Sequence, residues 1–215
     1  MKKLLATIGL VILLGQSNLQ SQDSNLTKLG IEAYNGRIPT GLKEGDRAPD
    51  FTGYDQTGKQ VTLKGFLNDG PVVLFFYRGN WCPACNKQLK AYQDSLNIIT
   101  GTGARLVAIT PESIDKVEQT VKLHNLTFTV IYDCMEQIMK DYDVMYTVTK
   151  DFSDRVLKNA KVDIAKHNGR DVAHLPVTAT YIINRNGIIT ASYFKYDFYD
   201  RSSVNWIVRN LAGAL

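Results

Sequence analysis

The stretch Phe75–Leu89, FFYRGNWCPACNKQL, decides the fold. Pro71 opens the continuous apolar run Val72 to Tyr77, which fits a strand buried on both faces. A helical pattern starts immediately after it. Cys85, Leu89, Tyr92, Leu96 and Ile99 recur at helical spacing and share one face, and Gly101 and Gly103 end the pattern. The strand-to-helix junction therefore carries Trp81-Cys82-Pro83-Ala84-Cys85.

This spacing has chemical consequences. Cys82 falls at the helix N-cap and Pro83 at the first helical position, where the missing N–H costs nothing. Cys85 lies one turn further on, so the two sulfurs can meet. A disulfide across so small a loop removes little entropy from the unfolded chain, so it suits being made and broken. The free N–H groups at the helix start favour a negative charge, which on local grounds makes Cys82 the attacking thiol and Cys85 the resolving one. Trp81 is positioned to shield the pair. A structural zinc site needs four ligands; only Cys134 and the scattered His124, His167 and His174 remain, at no matching spacing. The chemistry calls for no metal and no cofactor.

Outward from this centre, strands and helices alternate. Phe51 to Tyr54 and Gln60 to Leu63 flank the turn Asp55-Gln56-Thr57-Gly58 and predict a hairpin. Arg105 to Thr110 predicts a strand, followed by a helix with Thr110 as N-cap and Pro111 at its first position. Phe128 to Tyr132 predicts a strand and Glu136 to Tyr142 a short helix. Residues 145–175 show no strand pattern and are expected to form a mostly helical insertion. Ala179–Ile183 and Ile188–Phe194 flank Asn186-Gly187 as a second hairpin. A last helix buries Val204, Ile207, Val208 and Leu211. The expected architecture is α/β, with a right-handed parallel βαβ unit at its centre.

Residues 1–22 carry Lys2 and Lys3, then an uncharged apolar run from Leu4 to Leu14, then a polar stretch. That is the layout of a secretory signal peptide, and the run is short for a bilayer span. The expectation is export to the periplasm or the outside, without stable membrane insertion after cleavage. Residues 23–45 read as a polar N-terminal tail, and 46–215 as one domain. The net charge of +4 shows no basic face of the kind nucleic-acid binding needs. Three cysteines are too few for a disulfide scaffold.

FFYRGNWCPACNKQL resembles the alkyl hydroperoxide reductase C / thiol-specific antioxidant (AhpC/TSA) family, in a peroxiredoxin-like branch with a Cys-Pro-x-Cys site. APDFTGYDQTGKQVTL (Ala48–Leu63), LVAITPES (Leu106–Ser113) and HLPVTATYIINRNGII (His174–Ile189) are similar to the family's N-terminal hairpin, second strand and late hairpin. The resemblance implies a thioredoxin-like fold with a central mixed sheet flanked by helices. It implies a redox-active Cys82–Cys85 pair, hydroperoxide as substrate, and an external dithiol of the thioredoxin kind as reductant. It also makes the leading cysteine a question. By the spacing of peroxiredoxins from Phe76-Tyr77, the attacking cysteine is Cys85, with Cys82 in place of the usual Thr or Ser. By the pattern of thioredoxin-like disulfide reductases, it is Cys82, directly after the Trp. The chain departs from the family twice: Arg78 stands where peroxiredoxins have Pro, and Thr178 where they carry an active-site Arg.

Three functions fit these residues: a peroxiredoxin-like hydroperoxide reductase, a protein disulfide reductase led by Cys82, and a redox-sensing module without turnover. Trp81, Arg78 and Thr178 are the candidate supporting residues. Arg78 either supplies the missing positive charge or is a solvated or salt-bridged strand-end residue. Cys134 is expected as a small buried residue or a second resolving thiol, and His174 as a loop residue or a proton donor.

Overall fold

The computed structural model describes residues 25–214. The expected leader, 1–22, lies outside them. Ile31–Glu32 forms a short strand, β1. Thr52–Asp55 (β2) and Gln60–Thr62 (β3) make the expected antiparallel hairpin, with Tyr54 opposite Gln60. The chain then runs at once into α1 (Leu63–Asp69), which the strand-like alternation of β3 concealed; the Thr62 hydroxyl accepts from the Gly65 N–H and caps it. β4 (Val72–Phe76) leads through the cysteine loop into α2 (Pro83–Asp94) and α3 (Leu96–Thr100). β5 (Arg105–Thr110), α4 (Ile114–His124), β6 (Thr129–Tyr132) and α5 (Gln137–Asp141) follow. Next come β7 (Met145–Val148), α6 (Lys150–Ala160), α7 (Ile164–His167) and β8 (His174–Pro176). β9 (Thr180–Ile183), β10 (Ile189–Tyr193) and α8 (Val204–Leu211) complete the chain.

The main sheet runs β10-β9-β4-β5-β6-β2-β3, and β1-β7-β8 form a second, three-stranded sheet. β4 pairs parallel with β5, and β5 parallel with β6, while β9 lies antiparallel on the other side of β4. The C-terminal ends of β4, β5 and β6 therefore share one end of the sheet. The cysteine loop and α2 start there. Every β4 residue is buried, as its uninterrupted apolar run requires. Val72, Leu74 and Phe76 pack into one core; Val73 and Phe75, with Tyr77, pack on the other face against Leu89, Tyr92, Ile99, Val117, Ile207 and Leu211.

Four expectations are corrected. The stripe from Cys85 to Ile99 is one face but two helices, because the chain breaks at Ser95. The helix after β5 starts at Ile114, with Ser113 as N-cap, since Thr110 is still paired in the sheet and Asp133 N–H donates to its carbonyl. The insertion is not mostly helical at its ends: β7 and β8 pair antiparallel, with Met145 opposite Pro176. These strands are three and four residues long, too short to show a period. Residues Ile31–Glu32, read as part of a polar tail, pair with β7.

The central strand should dominate stability. Phe75 is fully buried, with its ring 5.0 Å from Tyr92 and 6.0 Å from Phe128. Phe75→Ala should cost about 3–5 kcal/mol and Phe75→Leu distinctly less, as read from urea unfolding midpoints. Equal losses for the two would show that the ring contacts contribute little.

Candidate active site

Cys82 is the N-cap of α2, with extended backbone angles, and its Sγ accepts from the Cys85 N–H at 3.4 Å. The Arg78 N–H donates to Cys85 Sγ, also at 3.4 Å. Both thiols are free, and they are 1% and 0% exposed.

Two guanidiniums close on the pair. Arg78 Nη2 donates to Cys82 Sγ at 3.1 Å, and Arg201 Nη2 donates to Cys85 Sγ at 3.3 Å. Arg78 is 2% exposed and has no carboxylate partner among the described residues. Its guanidinium lies 3.7 Å from the Phe198 ring centre, with Trp81 and Phe152 at 5.4 and 5.5 Å, a cation held by aromatic faces. Burial alone would strip its charge, but the negative charge available from Cys82, Tyr146 and Cys85 outweighs it. Arg201 comes from the segment before α8. Its Nε donates to Phe198 O at 2.7 Å and its Nη1 to Gln88 Oε1. Gln88 Nε2 donates in turn to the Tyr92 hydroxyl at 3.0 Å, which bonds Ser202.

The two thiols are driven apart. Burial would raise the Cys85 thiol, but the hydrogen bond from Cys82, the charges of Arg201 and Arg78, and the Arg78 N–H together hold it well below the ordinary range. The Cys82 thiol is pushed up, first because its proton is donated to Cys85 and then by burial, against the pull of Arg78. These surroundings favour the negative charge on Cys85, which Arg201 and the Arg78 N–H both touch. The N-cap advantage of Cys82 is real, since the Cys85 N–H and Arg78 both reach it, but its burial and its proton shared with Cys85 outweigh them.

The loop itself is held from below. Gly79 has φ +147, and a Cβ there would sit 2.5 Å from Trp81 Nε1, so glycine is required where the Trp folds over the backbone. The Asn80 N–H donates to Glu112 Oε1 at 2.8 Å. Glu112 is fully buried at the end of β5 and also meets His167 Nε2 at 2.8 Å and the Thr120 hydroxyl at 3.2 Å. The insertion is thereby tied to the cysteine loop. Burial, and then the nearby Glu112 charge, raise the Tyr77 phenol well above its usual range.

Of the residues singled out from sequence, Cys82, Cys85, Arg78 and Trp81 come together. Arg78 is neither solvated nor salt-bridged. Thr178 is buried in the connection from β8 to β9, beside the end of β4, where Phe76 N–H donates to Ala179 O; its hydroxyl has no partner among the described residues. His174 is not directed at the sulfurs: its Nδ1 meets Glu136 at 3.0 Å. Cys134 is exposed rather than buried. The sequence reading missed Arg201 and Glu112. Arg201 is 116 residues from Cys85, in a polar loop with no periodicity to mark it. The one available sign was indirect, the absence of an arginine at Thr178.

The family model for the AhpC/TSA family matches residues 44–192. The chain belongs to the AhpC/TSA family. Peroxiredoxin Q, chloroplastic, of Sedum lineare is 35% identical over 92 residues, 43% of this chain; the match spans about half of that protein, 49%. Among solved structures, peroxidoxin BcpB from Mycobacterium tuberculosis aligns with a TM-score of 0.62 at 20% identity, covering 80% of this chain and 97% of that one. A putative protein disulfide isomerase from Bacteroides thetaiotaomicron aligns at 0.57 and 20% identity, covering 83% and 93%. At such identity the likeness establishes the thioredoxin-like fold. Proteins named for different redox activities share it, so the site's chemistry must separate them.

For this AhpC/TSA protein, thiolate absorbance at 240 nm should persist on acidification well below the ~8.5 of a free cysteine. It should vanish in Cys85→Ser and persist in Cys82→Ser at a somewhat higher midpoint, because the donated hydrogen bond is weakened. A low-pH thiolate that instead vanishes in Cys82→Ser would place the charge on the other sulfur.

Proposed function

We propose that the protein is a thiol-dependent hydroperoxide reductase in which Cys85 attacks the peroxide and Cys82 resolves. The supporting observation is the position of the charge: Cys85 is a buried sulfur held as thiolate by Arg201, Arg78 and the Cys82 thiol. The thiolate forms a bond to one peroxide oxygen as the O–O bond breaks, giving a sulfenic acid and an alkoxide that takes up a proton and leaves as the alcohol. Cys82 then displaces hydroxide, which leaves as water, and a disulfide results. An external dithiol of the thioredoxin kind, the second substrate, restores the pair.

Burial supports a small substrate. A peroxide can reach a sulfur that is covered by side chains, whereas the disulfide of a folded protein needs an open nucleophile. A cleft of about 480 Å³ lies beside the pair, lined by Pro83, Ala84, Gln88, Tyr92, Tyr199 and Arg201. The apolar run Leu4–Leu14 after Lys2 and Lys3 supports export, so the envelope or the exterior is the proposed site of action. Cell fractionation checks this: a protein that stays cytosolic and keeps residues 1–22 would count against it.

Stopped-flow mixing with hydrogen peroxide and tert-butyl hydroperoxide tests the assignment. Cys82→Ser should still oxidise rapidly, stopping at one sulfenic acid, while Cys85→Ser should lose at least about a thousandfold in rate. Rapid oxidation of Cys85→Ser, together with insulin reduction that depends on Cys82, would make the protein a disulfide reductase instead.

A further inference from the structure

The two guanidiniums of the site each lie closest to a different sulfur. Arg78 Nη2 is 3.1 Å from Cys82 Sγ, whereas Arg201 Nη2 is 3.3 Å from Cys85 Sγ and 3.9 Å from Cys82 Sγ. Their surroundings also differ. Arg78 is sealed under Phe198, Trp81 and Phe152, away from solvent. Arg201 is half-exposed and borders the cleft, where an incoming peroxide would arrive.

Resting on the hydroperoxide chemistry proposed above, we infer that the two arginines divide the catalytic cycle: Arg201 supports attack by Cys85, and Arg78 supports disulfide closure by Cys82. In the first step the Cys85 thiolate forms an S–O bond and the O–O bond breaks. Sulfur is oxidised, the peroxide is reduced, and the leaving alkoxide takes up a proton. Arg201, in contact with Cys85 and open to the cleft, sits beside this charge transfer. In the second step Cys82 must give up its proton and attack the Cys85 sulfur; the S–S bond forms, the S–OH bond breaks, and hydroxide leaves as water.

The reduced site forbids the second step until the first has happened. While Cys85 is anionic, the Cys82 proton is held in the hydrogen bond between the sulfurs, and Cys82 stays a thiol. Oxidation of Cys85 to the neutral sulfenic acid removes that anion. Arg78 is then the nearest positive charge to Cys82, with no carboxylate to compete for it, and it stabilises the Cys82 thiolate.

The two steps can be timed separately with hydrogen peroxide. Sulfenic acid formation is followed in a Cys82→Ser background, where it accumulates, and closure is followed in the two-cysteine protein at saturating peroxide. Loss of a charge-assisted contact predicts a drop of about ten- to hundredfold in the step it serves. Arg201→Met should show that drop in sulfenic acid formation, with closure changed by no more than about twofold. Arg78→Met should show that drop in closure and a clearly smaller one in sulfenic acid formation, because its charge also lowers the Cys85 thiol. Its closure rate should also keep rising with pH into the alkaline range, because Cys82 has lost the cation that lowers its thiol. Arg78→Lys, which keeps the charge, should recover part of the neutral-pH rate; it also replaces Arg78→Met if that variant does not fold. Loss of the same step in both arginine variants, or an unchanged closure pH profile in both Arg78 variants, overturns the division. If Cys85 does not oxidise even with both arginines intact, the hydroperoxide reading itself falls, and the two failures are told apart.

Discussion

A guanidinium buried without a carboxylate is the constraint on which the active end of this molecule depends. Taking a cation out of water costs several kcal/mol unless a counter-charge and aromatic or polar contacts replace the solvent. Around Arg78 the aromatic contacts come from Trp81, Phe152 and Phe198, and the nearest source of negative charge is the Cys82 sulfur, with Tyr146 and Cys85 close by. The arginine therefore favours a thiolate, and the thiolate favours keeping the arginine charged. In the proposed cycle a closed disulfide would remove the anion and leave Arg78 and Arg201 uncompensated, so the charges that ready the pair for oxidation would also favour its return to the reduced form.

That constraint recruits distant parts of the chain. Phe152 comes from α6 in the insertion, Phe198 and Arg201 from the segment before α8, and Arg78 from the end of β4. The connections are polar chains with few gaps. Arg201 reaches Gln88 and Tyr92 on α2, and Tyr92 reaches Ser202, whose hydroxyl donates to Thr180 on β9. On the other side, Asn80, Glu112 and His167 tie the cysteine loop to β5 and α7. The insertion and the C-terminal segment are thus walls of the site as well as additions to a thioredoxin-like core. The family likeness accounts for the core; the walls are what give the two sulfurs different charges.

How much of this was legible in the chain follows from the range of each interaction. The strand Val72–Phe76, the stripe through Cys85, Leu89 and Tyr92, and the Cys82 N-cap with Pro83 behind it are local patterns, and the structure reproduces them. The pairing of β7 with β8 and β1 left no periodic trace, because strands of two to four residues carry none. Glu112 looked like an ordinary first-turn helix residue; the helix begins only at Ile114, and the partners that bury Glu112, among them Asn80 and His167, are distant in the chain.

The sequence by itself determined the close cysteine pair, the strand-to-helix junction that presents it, and membership of a family with a thioredoxin-like fold, because each rests on neighbours within a few residues. Which sulfur carries the charge was decided only by the tertiary structure. The helix end favours Cys82 and acts locally. Arg201 acts on Cys85 from 116 residues away, and the Cys82 proton follows the stronger field. Electrostatics in a buried site depends on distance through space, and the linear chain does not record that distance.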